Sequence, residues 1–223
     1  MEQTDFCTTL LLDLHHTAAA ALLEGYRYPW QALGEIGAFI KALGQNLPAG
    51  DYAHPEEFVW IHRTARLFPN HYIAGPCIIG PETQVRPGAF IRGNALVGEG
   101  CVVGNSTELK NVILFDGVQV PHYNYVGDSI LGHKAHMGAG AVTSNVKQDK
   151  SPVTLAFGEN RVDTGLKKFG AVLGDFAEIG CNAVLNPGTV IGRGSRVYPL
   201  AMVRGVVPAG HIYKRAGEMV ALR

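Results

Sequence analysis

The sequence has no excess of charge of either sign, no long apolar run and no closely spaced cysteines. Its 19 basic and 19 acidic residues give a net charge of zero, so bulk charge does not favour a nucleic-acid or membrane partner. The apolar runs before residue 24 are too short to span a bilayer. The acidic start lacks the basic lead of a signal peptide, and the four cysteines suggest no disulfide framework. A reducing cytoplasm is therefore the expected location.

Apolar residues recur at every sixth position in two stretches, which together form the ladder. The first stretch is Ile61, Leu67, Ile73, Ile79, Val85, Ile91, Val97, Val103 and Leu109, and the second is Leu173, Ile179, Leu185, Ile191, Val197 and Val203. A helix repeats near 3.6 residues and a strand at 2, so a period of six fits neither as one long element. It is typical of very short strands separated by sharp corners, stacked in coils of about 18 residues as a parallel β-helix.

The ladder divides the chain into three parts. Residues 59–207 are predicted to form the β-helix, with about seven coils. Residues 1–58 contain the three- and four-residue apolar spacing of a helix, from Trp30 to Leu43, and are predicted to cap the exposed end of the stack. Residues 208–223 are predicted to be a short tail.

The ladder becomes irregular in the middle of the chain. Steps of five replace steps of six at three places: Leu109 to Leu114, Val126 to Leu131, and Met137 to Val142. Such irregularities in a solenoid commonly mark a functional edge. Residues 146–170 abandon the pattern and are predicted to form a loop or hairpin that reaches outward, since long loops in compact domains are usually functional.

Polar side chains with chemical uses are concentrated in the irregular region. They are Asn105, Lys110, His122, Tyr125, Asp128, His133, His136 and Asn145. Pro121 precedes His122, so a rigid residue holds the imidazole at a corner, where it suits a general base. An isolated histidine more often only forms hydrogen bonds between coils, but the polar neighbours of His122 favour a functional role.

This region resembles the acetyltransferase half of bacterial glucosamine-1-phosphate acetyltransferase/N-acetylglucosamine-1-phosphate uridyltransferase and the related archaeal sugar-phosphate nucleotidyltransferases. The resemblance covers roughly residues 60–207 and rests on Gly104-Asn105, Glu108-Leu109-Lys110, His122, Tyr125, Gly127-Asp128, Gly132, Gly138-Ala139-Gly140, Asn145 and the segment 162–171. It implies a left-handed β-helix that forms a homotrimer, with the active site between subunits. The implied reaction moves acetyl from acetyl-CoA to the 2-amino group of glucosamine 1-phosphate, and no metal is expected.

The resemblance also implies roles for single residues. His122 would be the base that deprotonates the attacking amine, and the backbone N–H of Ala139 would face the developing oxyanion. Asn145 and Cys181 would contact the coenzyme. The candidate contacts to the sugar phosphate are Lys110, Lys168, Tyr125, Asn105, His136 and either Arg86 or Arg92, of which Arg92 is preferred on spacing.

Two departures from the family pattern leave another function open. His136 stands where the family has asparagine, and Val146 stands where it has tyrosine. These changes keep open a non-catalytic solenoid that binds a nucleotide sugar. A second alternative is a zinc enzyme of the γ-carbonic anhydrase kind, with His122, His133 and His136 meeting as ligands across an interface between subunits. No glycine-rich nucleotide-binding unit precedes residue 59, so uridylyl transfer is not expected.

Overall fold

The predicted left-handed parallel β-helix is confirmed by the computed structural model of the protein, which describes residues 6–157 and 160–222. Its short strands form three flat sides that we number in the order the chain visits them. Side one contains Val59–His62, Cys77–Ile79, Ala95–Val97, the second half of Glu108–Leu114, the second half of Tyr125–Leu131, Ala171–Leu173, Thr189–Ile191 and Val206–Val207.

The other two sides are built in the same way. Side two contains Arg66–Leu67, Gln84–Val85, Val102–Asn105, Gln119–His122, His136–Met137, Glu178–Ile179, Arg196–Val197 and His211–Arg215. Side three contains Tyr72–Ile73, Phe90–Ile91, the first halves of Glu108–Leu114 and Tyr125–Leu131, Val142–Thr143, Val184–Leu185 and Met202–Val203. Each ladder residue pairs with its counterpart one coil away, so the ladder forms the interior.

Two details of the sequence prediction are wrong. The stack has eight coils and not seven, because the last step on side one, from Ile191 to Val207, is shorter than the regular repeat and conceals the final coil. The five-residue steps to Leu114 and Leu131 are present, but the inward residue after Met137 is Thr143 and not Val142. The Thr143 hydroxyl accepts the Gly127 N–H at 2.9 Å, and this hydrogen bond allows a polar side chain inside.

The N-terminal segment, residues 6–44, covers side one. It contains α1 (Thr8–Leu11), α2 (Ala20–Leu23), α3 (Ile36–Gly44) and two 3₁₀ turns (Leu14–His16 and Pro29–Gly34). Under this cover, the outward residues of side one are apolar and buried: Ile78, Leu96, Ile113, Ile130, Val172 and Val190. Helix α3 lies against three of these strands, and a Cβ on Gly44 would fall 2.4 Å from the ring of Trp60. Removing this apolar row from water stabilises the contact between segment and stack.

The irregular segment after residue 145 forms an antiparallel hairpin, Thr154–Phe157 with Asn160–Asp163. Its first strand packs inward and does not reach outward as predicted, since Leu155, Phe157 and the preceding Val153 are buried. The ring of Phe157 lies edge-on to Phe6, 4.9 Å between centroids. Apolar residues in this otherwise polar segment therefore join it to the N-terminal segment.

Antiparallel strands close both ends of the β-helix. Tyr52–Glu56 pairs with the first strand of side one, and Glu218–Ala221 pairs with the last strand of side two. These hairpins occupy strand edges that would otherwise be free for pairing with another chain. Within the described ranges, no helix is both long and apolar enough to cross a membrane.

A pair of stacked imidazoles joins the N-terminal segment to the stack. The rings of His16 and His133 lie 3.7 Å apart, and His133 Nδ1 is buried without a partner among the described residues. Burial, and then the charge of a protonated His16, lower the pKa of His133. Below the usual histidine pKa the unfolded chain therefore binds more protons at this residue than the folded chain, so the stability that His133 contributes falls as pH drops below about 6.5.

The loss of stability as pH falls can be tested with His133→Phe. Between pH 7 and pH 5.5, the urea midpoint of unfolding should fall more in the wild type than in the variant, which keeps the ring contact but cannot take up a proton. The neighbouring carboxyl of Asp175, whose pKa burial raises, keeps its hydrogen bond from the backbone N–H of residue 133 in both proteins. Equal pH slopes in the two proteins would contradict the assignment.

Candidate active site

Four of the predicted site residues stack at the corner between sides two and three. Asn105 pairs with His122 in register, Gly140 donates its N–H to the carbonyl of His122, and the carbonyl of Ala139 accepts from Asn182. Asn105, His122, Ala139 and Cys181 thus occupy the same position in four successive coils, about 4.8 Å apart. We call this column the His122 corner.

The backbone of the His122 corner repeats from coil to coil. The residue after each member has a left-handed conformation, with φ of 54° at Ser106, 51° at Tyr123, 72° at Gly140 and 55° at Asn182. Each of these residues donates its N–H to the preceding coil. The corner is therefore a continuous hydrogen-bonded column, and side chains just before the left-handed residue project from it at regular intervals.

The groups at this corner are available for chemistry. His122 is exposed, and its ring makes no hydrogen bond within the described part of the chain. In the next coil, the N–H groups of Gly138, Gly140 and Ala141 each donate to a backbone carbonyl. The N–H of Ala139 has no such acceptor among the described residues, so it is free to donate a hydrogen bond to a negatively charged oxygen.

A buried asparagine connects these two coils. The Oδ1 of Asn124 accepts the N–H of His122 at 3.1 Å. Its Nδ2 donates to the carbonyls of Gly138 at 2.8 Å and Ala141 at 3.0 Å. The backbone at His122 and the turn that contains Ala139 are therefore tied to one side chain.

A second polar group lies at the other end of side three and is centred on Asp128. Both carboxylate oxygens of Asp128 lie 2.9 Å from Lys110 Nζ, and Oδ1 also accepts from Asn111 at 3.0 Å. Asn145 donates to Oδ2 at 2.5 Å. We call Lys110, Asn111, Asp128 and Asn145 the Asp128 cluster. Its carboxylate is buried and offsets the charge of Lys110.

Three further candidates lie beside the Asp128 cluster. Arg92 stacks one coil before Lys110, and its Nη1 lies 2.7 Å from Glu108. Tyr125 lies between the His122 corner and the cluster, and burial, followed by the charge of Asp128, raises its pKa. The exposed Lys168 precedes Phe169, whose N–H donates to the carbonyl of Asn145.

Arg86 and His136 lie elsewhere. Arg86 is on the corner between sides two and three, two coils before His122, and donates to Gln84 at 3.3 Å. His136 faces outward from side two, where its Nδ1 lies 2.9 Å from Glu178. The structure thus separates the two arginine candidates, with Arg86 beside the His122 corner and Arg92 beside the Asp128 cluster.

The three histidines of the zinc alternative are not brought together. His133 stacks on His16 and contacts the edge of Phe176, whereas His122 and His136 project from different positions. Among the residues that the structure describes, no group of three His, Cys, Asp or Glu side chains could hold a metal ion. Within one chain these three histidines therefore form no ligand set, and the alternative requires them to meet across an interface between copies.

The cysteines differ sharply in their surroundings. Cys77 and Cys101 are fully buried in the stack, and burial raises the pKa of the Cys101 thiol to about 12. Burial also raises the pKa of Cys77. Cys181 is exposed on the His122 corner, one coil after Ala139.

Asn111 and Asn124 are two polar residues of the site to which the sequence pattern assigns no role. Asn111 also donates to the carbonyl of Leu33 at 3.1 Å, a contact across 78 residues that no local pattern indicates. Asn124 has a sequence signal, because it is an asparagine two residues before Val126, at a position that is small in the five other coils from Ala89 to Ala201.

Comparison with known proteins places this geometry among relatives. Residues 73–207 match the family described as the GMPPB C-terminal domain. The chain is 32% identical over 224 residues to a bifunctional sugar-1-phosphate nucleotidylyltransferase/acetyltransferase from Sulfurisphaera tokodaii, covering 96% of this chain and 55% of that protein. It is 36% identical over 132 residues to the bifunctional protein GlmU of Methanococcus vannielii, covering 59% of this chain and 32% of that protein.

The chain spans about half the length of the first of these relatives, and the match covers about a third of the length of the second. Among solved structures, a hexapeptide transferase family protein from Anaplasma phagocytophilum is 18% identical, with a TM-score of 0.42 and coverage of 74% of this chain and 79% of that one.

Proposed function

This chain belongs to the GMPPB C-terminal domain family, and we propose that it is an N-acyltransferase. It transfers acetyl from acetyl-CoA to the amine of an amino-sugar phosphate, with glucosamine 1-phosphate as the first candidate acceptor. The observation that carries the proposal is the His122 corner, where an exposed imidazole stands one coil from an Ala139 N–H that has no backbone acceptor among the described residues. The relative from Sulfurisphaera tokodaii, which aligns with 96% of this chain, is named as a bifunctional nucleotidylyltransferase/acetyltransferase, which supports acetyl transfer.

The two groups of the His122 corner match the two needs of acyl transfer. As the sugar amine attacks the thioester carbonyl, the imidazole of His122 takes a proton from the nitrogen. The carbonyl oxygen becomes negatively charged and accepts a hydrogen bond from the N–H of Ala139. The tetrahedral intermediate then collapses, the carbon–sulfur bond breaks, and the departing CoA thiolate takes the proton from His122. The products are the N-acetyl sugar phosphate and CoA.

The cations of side three suit the phosphate of the acceptor. Lys168 is exposed, and among the described residues Arg92 forms an ion pair with the partly exposed Glu108 alone. The ammonium of Lys110 lies against both carboxylate oxygens of buried Asp128, so its charge is already offset within the chain. Arg92 and Lys168 are therefore the preferred phosphate contacts, and Arg86, Tyr125, Asn105 and His136 stay candidates for the rest of the sugar.

A complete site of this kind needs more than one copy of the chain. His122 and the Asp128 cluster lie at opposite ends of side three, about 15 Å apart by the rise of a strand, which exceeds the length of a hexosamine phosphate. We infer that a neighbouring copy brings its side-three cations to the His122 corner of the first, as in a homotrimer. Exposed apolar side chains on this part of the surface favour such an interface: Tyr123, Tyr198, Leu200 and Met202.

The direct test is CoA release from acetyl-CoA, followed with a thiol reagent. Glucosamine 1-phosphate should release CoA, whereas N-acetylglucosamine 1-phosphate, which has no free amine, should not. A nucleotide-linked amino sugar is run beside them to test the acceptor. Light scattering should give three times the chain mass of 23.9 kDa. Tight sugar-nucleotide binding without CoA release from any acceptor would instead support the non-catalytic solenoid.

A further inference from the structure

One buried position on the corner between sides two and three differs from its counterparts in the neighbouring coils. The residue two before the inward residue of side three is the partly buried His71 in the first coil and is small in five later coils: Ala89, Thr107, Ala141, Ala183 and Ala201. In the coil that carries His122 the same position is Asn124, which is only 2% exposed. A larger polar side chain therefore fills the tight corner in the coil where the proposed base is located.

The side chain of Asn124 forms three hydrogen bonds that span two coils. Its carbonyl oxygen accepts from the His122 N–H in its own coil, and its amide nitrogen donates to Gly138 and Ala141 in the next coil. Because one partner is a donor and the others are acceptors, the orientation of the amide is fixed by its contacts. The small residues of the other coils have no amide that could form this three-way link.

We propose that Asn124 is a positioning residue that fixes the distance between the His122 imidazole and the Ala139 N–H. This inference rests on the proposed acyl transfer. A general base and an oxyanion donor act together only when both are held near their productive positions, and displacements of about 1 Å can lower turnover about 100-fold. Asn124 touches neither reacting group. It bonds to the backbone N–H of His122 and to the carbonyls of Gly138 and Ala141, on either side of Ala139.

Thr83 provides a matched control elsewhere in the stack. It is also fully buried at a corner, donates to the carbonyl of Gly98 at 2.7 Å, and accepts from the N–H of Cys101 at 2.9 Å. Thr83→Ala therefore removes hydrogen bonds between neighbouring coils away from the His122 corner. If Asn124 contributed only to stability, Asn124→Ala and Thr83→Ala would have the same kind of effect.

The experiment compares both variants with the wild type in steady-state acetyl transfer and in thermal unfolding. Asn124→Ala should lower kcat about 10- to 100-fold while KM for acetyl-CoA stays within about threefold. Thr83→Ala should keep kcat within about twofold at a similar loss of melting temperature. Equal kcat in the two variants would overturn the inference. Asn124→Thr, whose side chain fits the same position one coil earlier as Thr107, gives the same test if Asn124→Ala does not fold.

Hydrogen exchange supplies a readout that does not depend on turnover. In Asn124→Ala or Asn124→Thr, amides in residues 119–127 and 136–143 should both exchange faster than in the wild type, whereas Thr83→Ala should leave both segments unchanged. Faster exchange in only one segment would refute the link between them. If the wild type releases no CoA with any acceptor, the proposed function fails, but the exchange result still decides whether Asn124 couples the two turns.

Discussion

Replacing His122 with alanine is expected to lower the turnover number for acetyl transfer about 10²- to 10⁴-fold, the usual contribution of a general base. The imidazole is exposed and makes no hydrogen bond within the described residues, so its removal should leave folding almost unchanged. KM for acetyl-CoA should change little, because the ring acts on the amine during its attack. The measurement is steady-state CoA release at saturating acceptor, with the melting temperature recorded on the same samples.

The matched control for this substitution is His15→Ala. His15 is also an exposed histidine, but it lies in the N-terminal segment, outside both polar groups of side three. The control should keep wild-type turnover. A His122→Ala protein whose turnover stays within a few-fold of wild type would remove the base from the mechanism, whatever the acceptor is.

Trp30→Ala is expected to lower the free energy of unfolding by about 3–5 kcal/mol, the usual cost of deleting a buried aromatic side chain. Trp30 is 1% exposed and stacks on Tyr28, with 4.7 Å between ring centroids. It also faces Phe169, just after the hairpin segment, at 5.6 Å. Its removal would leave a cavity where the N-terminal segment, the hairpin segment and side one meet.

Urea unfolding, with Leu10→Ala as control, measures this cost. Leu10 belongs to the same segment but is 52% exposed, so its truncation should change stability by no more than about 0.5 kcal/mol. A Trp30→Ala midpoint equal to that of the wild type would mean that residues 6–44 are not part of the cooperative unit. The predicted boundary at residue 58 would then separate two independent parts.

The β-helix was predictable because its interior repeats along the chain. A six-residue period of apolar residues reports directly which side chains face inward, and even the shortened steps at Leu114 and Leu131 were visible. The prediction failed at Thr143, where an inward hydroxyl is satisfied by hydrogen bonds and its apolar neighbour Val142 faces outward. Hydrophobicity alone cannot identify an inward residue that is polar and fully bonded.

The site was predictable only in part, for the opposite reason. The family resemblance, which the relatives confirm, predicts roles for residues such as His122 and Ala139 one by one, and those roles stay predictions. Their alignment in a column depends on the coil length, and the register of successive coils is a property of the folded stack. The packing of the N-terminal segment on side one was harder still to predict, because contacts such as Asn111 to Leu33 join distant parts of the sequence.

The stacking of equivalent positions also limits how the chain can change in length. Loss of a single residue inside a strand would turn the rest of that strand from interior to surface. Loss of a residue at a corner is different, because the shortened steps to Leu114 and Leu131 leave the later strands in register. Changes in length are therefore expected at corners, in whole coils or in the hairpin, where the repeat is already interrupted.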